Sequence, residues 1–269
     1  MKKSYVVCST VRSGSTLLCK SLEKLGYCGK PEEYFHRHTI KRLKLGKNPD
    51  RFLEYCNSVL QKGVTKNGIF GIKMHWWQLS DFLTLARQST DFKQKQDLEI
   101  LHAIFPNLKF IYLWRQDITA QAVSAAIAMQ TNQWEKFSRS EIENQSTNKQ
   151  GIKKDAEKSI KFQPWKIYQW EKSLQDQNQY WRQFFRDNCL DYYEINYENL
   201  IDSFTQEISN IINYLDIDMT LATEKIGMPT QRQFNQTNQQ FMKYYRRLPK
   251  FFLAVLYRLY LQLKSKTDQ

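Results

Sequence analysis

No Cys-x-x-Cys pair occurs in this chain, and its five cysteines are odd in number. Cys8, Cys19, Cys28, Cys56 and Cys189 therefore read as free thiols in a reducing compartment, which excludes a disulfide framework and a cysteine zinc site. No apolar run is long enough to span a bilayer. The opening MKKSYVVCSTVR begins like a signal peptide, but Arg12 interrupts its apolar run too early. Acidic residues are few against basic ones, 27 to 40, and the net charge of +13 favours polyanionic partners: phosphorylated nucleotides, nucleic acid or an anionic membrane face. The basic residues are spread along the chain and form no nucleic-acid recognition motif, so nucleic acid is set aside. His36-x-His38 has no carboxylate or thiolate to complete a ligand set, so no metal is expected.

What is present suffices for a core: 41% of the 269 residues are hydrophobic and 14% aromatic. Four short apolar runs read as strands: Tyr5 to Cys8, Gly68 to His75, Lys109 to Trp114 and Leu190 to Ile195. The third, KFIYLW, has the continuous apolar character of a buried parallel strand. Helical patterns lie between them, over Thr16–Leu25, within 37–66 and 78–104, over Ile118–Met129, after 160 and over about 203–215. Alternating strands and helices predict an α/β fold, a mainly parallel sheet flanked by helices in three layers. The chain reads as one domain over 1–269, with a mobile insertion at 138–160 and an amphipathic tail at 249–269. Ligands of such sheets bind at the carboxyl ends of the strands, where every motif below falls.

The first strand runs into a loop of small residues, Ser9 to Ser15, and then a helix. That geometry aims backbone N–H groups at an anion. Against the phosphate-binding pattern G-x-x-x-x-G-K-[ST], Gly14 takes the second glycine, Thr16 the last position, and Ser9 the first glycine. Ser15 stands where the lysine would be, and Arg12 lies inside the loop. The missing lysine serves the β and γ phosphates of a nucleoside triphosphate, so this P-loop-like cradle suits a different nucleotide. Arg115, directly after the third strand, and Ser124, on the helix that follows, suit a second phosphate. Glu32, Glu33, Tyr34 and Phe35 fall on a loop after Pro31. His75 follows the second strand, with Lys73 alternating with it.

Together, STVRSGSTLL and WRQDITAQAVS resemble the PAPS-dependent sulfotransferases (PAPS is 3′-phosphoadenosine 5′-phosphosulfate), and more closely the bacterial trehalose sulfotransferase family. GYCGKPEEYF, GIFGIKMHW, NYENL and RQFNQTNQQF match that family in the same order, from residue 5 to about 247. The resemblance implies a PAPS-binding enzyme that transfers a sulfuryl group in line to a hydroxyl of a sugar or glycolipid. It implies Arg12, Ser13, Gly14, Ser15 and Thr16 on the 5′-phosphosulfate, Arg115 and Ser124 on the 3′-phosphate, and Arg232 and Gln233 in a closing loop. In that loop Asn235 and Phe241 stand where the family usually has aspartate and tryptophan. Glu33 occupies the position of the family's catalytic glutamate and is the candidate general base, with Arg12 offsetting charge on the leaving phosphate. Glu32 and His75 are the competing bases. Tyr34, Phe35, Lys73, His75 and Trp76 are the expected acceptor contacts.

Two other readings stand beside this one: a P-loop-like kinase acting on a small molecule, and a non-enzymatic basic binding module. The resemblance fades after Arg247. Beyond it, Phe251, Phe252, Leu253, Val255, Leu256, Leu259, Tyr260 and Leu263 recur at helical spacing, with Lys250, Arg258, Lys264 and Lys266 around them. Such a helix suits an anionic membrane surface, the protein's own core, or a second copy of the chain. The expected location is cytoplasmic, with peripheral membrane contact as the variant.

Overall fold

The computed structural model describes residues 2–134, 160–218 and 235–267. The expected insertion therefore lies almost wholly outside the described residues, as do Arg232 and Gln233. The strands are β1 (Lys3–Ser9), β2 (Ile69–His75), β3 (Leu108–Trp114) and β4 (Tyr192–Asn196). The helices are α1 (Ser15–Lys24), α2 (Arg37–Leu43), α3 (Pro49–Gly63), α4 (Trp76–Ala86), α5 (Asp97–Ile104), α6 (Ile118–Thr131), α7 (Pro164–Asp187), α8 (Tyr197–Asp202), α9 (Phe204–Tyr214), α10 (Gln236–Arg246) and α11 (Lys250–Thr267).

Residues 1–116 with 177–229 form one compact unit, and 117–176 with 230–269 a second. The first holds the sheet, in the order β2-β1-β3-β4 with every pairing parallel. Both faces of a parallel sheet must be covered, and the period of two along each strand supplies two cores. Val6 and Cys8 of β1, Phe70, Ile72 and Met74 of β2 and Phe110 and Tyr112 of β3 face α3, α4, α5 and the end of α7, where Phe52, Phe82, Ile104, Trp181 and Phe185 close the core. Tyr5, Val7, Ile111, Leu113 and Ile195 face α1 and α9, against Leu18, Leu22, Ile208 and Ile212. Because β1 has β2 on one side and β3 on the other, the chain reverses direction across the carboxyl end of β1, the place where open sheets bind ligands.

In the second unit, α10 begins at Asn235. Its side chain accepts the Asn238 N–H at 3.1 Å, and the Asn238 side chain returns a bond to the Asn235 N–H. This capping box is satisfied as well by asparagine as by the family's usual aspartate. Phe241 is buried, with its ring 5.3 Å from that of Phe162. No described helix is long and apolar enough to cross a membrane.

Candidate active site

At the carboxyl end of β1, Ser13 N–H donates to Thr10 O at 3.3 Å, which closes a turn. Arg12 sits at φ 63° and Gly14 at φ 89°. Left-handed geometry is costly for an arginine, roughly 1–2 kcal/mol, and such strain gathers at working loops. A Cβ on residue 14 would lie 2.4 Å from Cδ2 of Tyr197, so glycine is needed there on two counts. The helix that follows, α1, has no side-chain cap and no acidic residue in its first turn. Its amino end therefore presents N–H groups and a positive dipole with no carboxylate competing for them. The Ser13 hydroxyl is fully buried and has no hydrogen-bond partner among the described residues. These features fit the phosphosulfate end of a nucleotide donor.

The lysine missing from the loop arrives from the next strand. In β2 the apolar Phe70, Ile72 and Met74 point to one core, which turns Lys73 and His75 to the face where α1 begins. Register pairs Ser9 with His75. The Lys73 ammonium, on a residue only 5% exposed, donates to Thr16 Oγ1 at 3.3 Å and lies 2.7 Å from Glu33 Oε1. In nucleoside-triphosphate enzymes the hydroxyl at this loop position ligates magnesium; here a lysine cation occupies that neighbourhood.

Glu33 is delivered by the segment after α1. The backbone at Gly29, at φ 80°, runs so close to β2 that a Cβ would stand 2.6 Å from Gly71 N. Lys73 N–H then donates to Glu32 O at 3.1 Å, which fixes the next residue beside Lys73. The two glutamates part company. The Glu32 side chain is exposed and pairs with Lys62 at 3.4 Å on the surface. Glu33 turns inward: Gln78 Nε2 donates to its Oε2 at 2.8 Å, and His75 Nε2 lies 3.7 Å from its Oε1. Gln78, fully buried, also accepts the His75 N–H at 2.7 Å, and His75 Nδ1 meets Ser9 Oγ at 3.1 Å.

The charge states follow from this packing. Burial works to raise the Glu33 pKa, but His75, Lys73 and the hydrogen bonds from Lys73 and Gln78 outweigh it and hold the carboxyl at about 2. Burial drives the His75 imidazole down to about 4, against the pull of Glu33, so it is neutral at pH 7. A histidine with a lowered folded pKa loses stability as the unfolded chain protonates first. Stability should fall as pH drops from about 6.5 to about 4, and again below about 4.5 as Glu33 approaches its own titration near 2. Denaturation midpoints measured across this range should show the first loss flattened in His75→Gln and retained in His38→Gln.

A second cluster stands at the ends of β3 and β4. The Arg115 guanidinium lies 4.6 Å from the centre of the Tyr197 ring and donates to Arg12 O at 3.5 Å. Glu198 Oε1 lies 3.8 Å from its Nε, and Glu198 Oε2 accepts the Gln116 N–H at 3.0 Å. Tyr197 thus links Gly14 to Arg115.

The loop residues, Glu33, Lys73, His75 and Arg115 are gathered at one edge of the sheet. Ser124 lies on α6, in the second unit. Of the side chains expected at the acceptor, three are packed against other aromatic rings. Phe35 is 1% exposed, locked between Phe52, Tyr55 and Phe82. Tyr34 is buried on Phe70, with its hydroxyl on Lys30 O. Trp76 packs on Tyr180, Trp181 and Phe184. The tryptophan beside His75 is Trp77, 6.3 Å away, with His36 at 5.5 Å. The capping-box spacing from His75 to Gln78 could have revealed Gln78; Tyr197 and Glu198 lie in the family-matched stretch NYENL, which by itself assigned them no role.

Residues 4–248 match the family described as Stf0 sulphotransferase. The chain belongs to that family. It is 25% identical over 269 residues to a trehalose 2-sulfotransferase of Mycobacterium tuberculosis and 25% identical over 275 residues to one of Mycolicibacterium smegmatis; each match covers 91% of this chain and 94% of the relative. A solved sulfotransferase from Alicyclobacillus acidocaldarius matches with a TM-score of 0.46 at 11% identity, over 91% of this chain and 92% of that one. This sulphotransferase therefore carries the Lys73–Glu33 pair and the Arg12–Thr16 loop in the part of the chain that matches the family.

Proposed function

We propose that this enzyme transfers a sulfuryl group from PAPS to a hydroxyl of a sugar, free or lipid-linked, with Glu33 as general base. The observation that carries the reading is the Lys73 ammonium set between Thr16 of the anion loop and the Glu33 carboxylate. It brings a fixed cation and a carboxylate base to one point at the carboxyl edge of the sheet. PAPS, when bound, supplies sulfur activated by a phosphate leaving group. The α1 amino end, the Ser13 hydroxyl and Arg12 hold that phosphosulfate. Lys73 steadies its charge, preorganised without solvent reorganisation. Glu33, ionised throughout the physiological range, accepts the proton of the acceptor hydroxyl. His75, neutral and only 4% exposed, holds the carboxylate in place and is itself too enclosed to meet a sugar.

Arg115 holds the 3′-phosphate, its plane set by Tyr197 and Glu198; Ser124 takes the same group on the strength of the family resemblance. Arg115→Ala and Ser124→Ala should each weaken PAP by about one to two decades, because a hydrogen bond to a charged group contributes roughly 1.5–3 kcal/mol. Calorimetry with PAP checks this, and unchanged affinity in both variants removes the assignment. The function itself is tested by a labelled-PAPS transfer screen over sugars and glycolipids with mass readout. Binding of ATP in preference to PAP would favour the kinase reading.

A further inference from the structure

We infer that α11 is a docking helix for an anionic lipid surface. The family match ends at residue 248, just before α11 begins. One side of α11 is anchored within its own unit. Leu253 is 6% exposed, the Tyr257 ring lies 5.7 Å from those of both Trp165 and Tyr168, and Lys250 is paired with Glu171. The other side is bare. Phe251 is 74% exposed, Phe252 65%, Leu256 52%, Leu259 50% and Val255 39%. At 3.6 residues per turn these five side chains fall within about 140° of arc, a continuous apolar stripe. Isolated exposed hydrophobics need no explanation, but a contiguous stripe headed by two phenylalanines does.

Charge selects the occupant. From residue 235 to 267 the sequence contains no aspartate or glutamate, but it contains Lys243, Arg246, Arg247, Lys250, Arg258, Lys264 and Lys266. A second copy would bring an equally basic helix against this one in a protein already at +13, and the like charges of the two helices oppose that pairing. An apolar stripe bordered by basic residues and free of acids instead suits a helix lying in the headgroup region of an anionic bilayer, with the phenylalanines in the acyl boundary. A helix of this hydropathy does not cross the membrane; it lies on it.

The test uses the full chain and two sets of vesicles, one of phosphatidylcholine alone and one with phosphatidylglycerol. Co-sedimentation is expected with the anionic vesicles at low salt, falling at high salt, and absent with phosphatidylcholine. Phe251→Ser with Phe252→Ser should cut the bound fraction roughly tenfold, and Leu256→Ser with Leu259→Ser should do the same, with thermal unfolding unchanged because all four side chains face solvent. Turnover on a soluble sugar should be the same in both variants. No binding to anionic vesicles at low salt overturns the inference. So does a concentration-dependent dimer that either variant abolishes, since the stripe would then be covered by a second copy.

Discussion

Replacing Glu33 with glutamine should remove most turnover and leave PAP affinity nearly intact. The amide keeps the size of the side chain, and its single oxygen can still accept from one of the two groups that the carboxylate holds, Lys73 at 2.7 Å or Gln78 Nε2 at 2.8 Å. What it loses is the ability to take a proton, and positioned proton transfer contributes about 10²–10⁴-fold. The depressed pKa of about 2 bears on the size of the effect. A carboxylate so strongly stabilised is a weaker base in the resting site, so the loss should lie toward the lower end of that range unless donor binding draws Lys73 onto the phosphosulfate. Steady-state turnover with the best acceptor found, alongside PAP calorimetry, separates the cases. Glu32→Gln should be nearly silent, because Glu32 is occupied with Lys62 at the surface. If Glu32→Gln or His75→Asn is dead while Glu33→Gln turns over normally, the base has been misassigned.

The contrast between Glu32 and Glu33 shows where sequence reading stops. Two adjacent glutamates after a proline have equal chemistry on paper, and only the family resemblance distinguished them. In space the difference is a single backbone bond, Lys73 N–H to Glu32 O, which pins the segment to the edge of β2 and sends the next side chain inward. The strands themselves were legible, because apolar runs as continuous as KFIYLW leave little choice in a chain of this composition, and all four were located to within two residues. The alternation of Lys73 with His75 was legible for the same reason of period two. The partner they face was not, since it depends on the β1–β2 register that brings Ser9 beside His75.

Trp76 is a different case. The strand before it ends at His75 and a helix begins at Trp76, so the side-chain period changes from 2 to 3.6 there, and neither rule predicts which neighbours the Trp76 ring meets. Tyr34 and Phe35 were drawn toward the acceptor by adjacency to Glu33. Their burial follows from a loop that lies across the end of a hydrophobic core, where large side chains are taken in wherever the backbone allows. Tyr197 and Glu198 lie in the family-matched stretch NYENL, but their role was not legible there, because they support Arg115 from a helix, α8, more than 80 residues away in sequence.

Lys73→Met should be the most damaging single change in the site, and by two routes that can be separated. Methionine keeps the length and apolar stem but leaves the Glu33 carboxylate without its cation in a site where Lys73 is almost wholly enclosed. Removing one partner of a buried pair typically costs about 3–5 kcal/mol, a loss readable as a lower denaturation midpoint. Because Glu33 keeps part of its side chain in contact with solvent, the lower end of that range is expected. The second route is functional. Thr16 loses the ammonium at 3.3 Å, and with it the fixed positive charge at the end of the anion loop, so PAP should bind about one to two decades more weakly. The double variant Lys73→Met with Glu33→Gln distinguishes the two. With no carboxylate left unpaired, stability should return most of the way to wild type, a coupling of the kind contacting residues show. Donor affinity should stay low, because no cation has been restored. Full recovery of PAP binding in the double variant would mean that Lys73 acts only by holding Glu33; no recovery of stability would mean that the pair does not hold this edge of the sheet together.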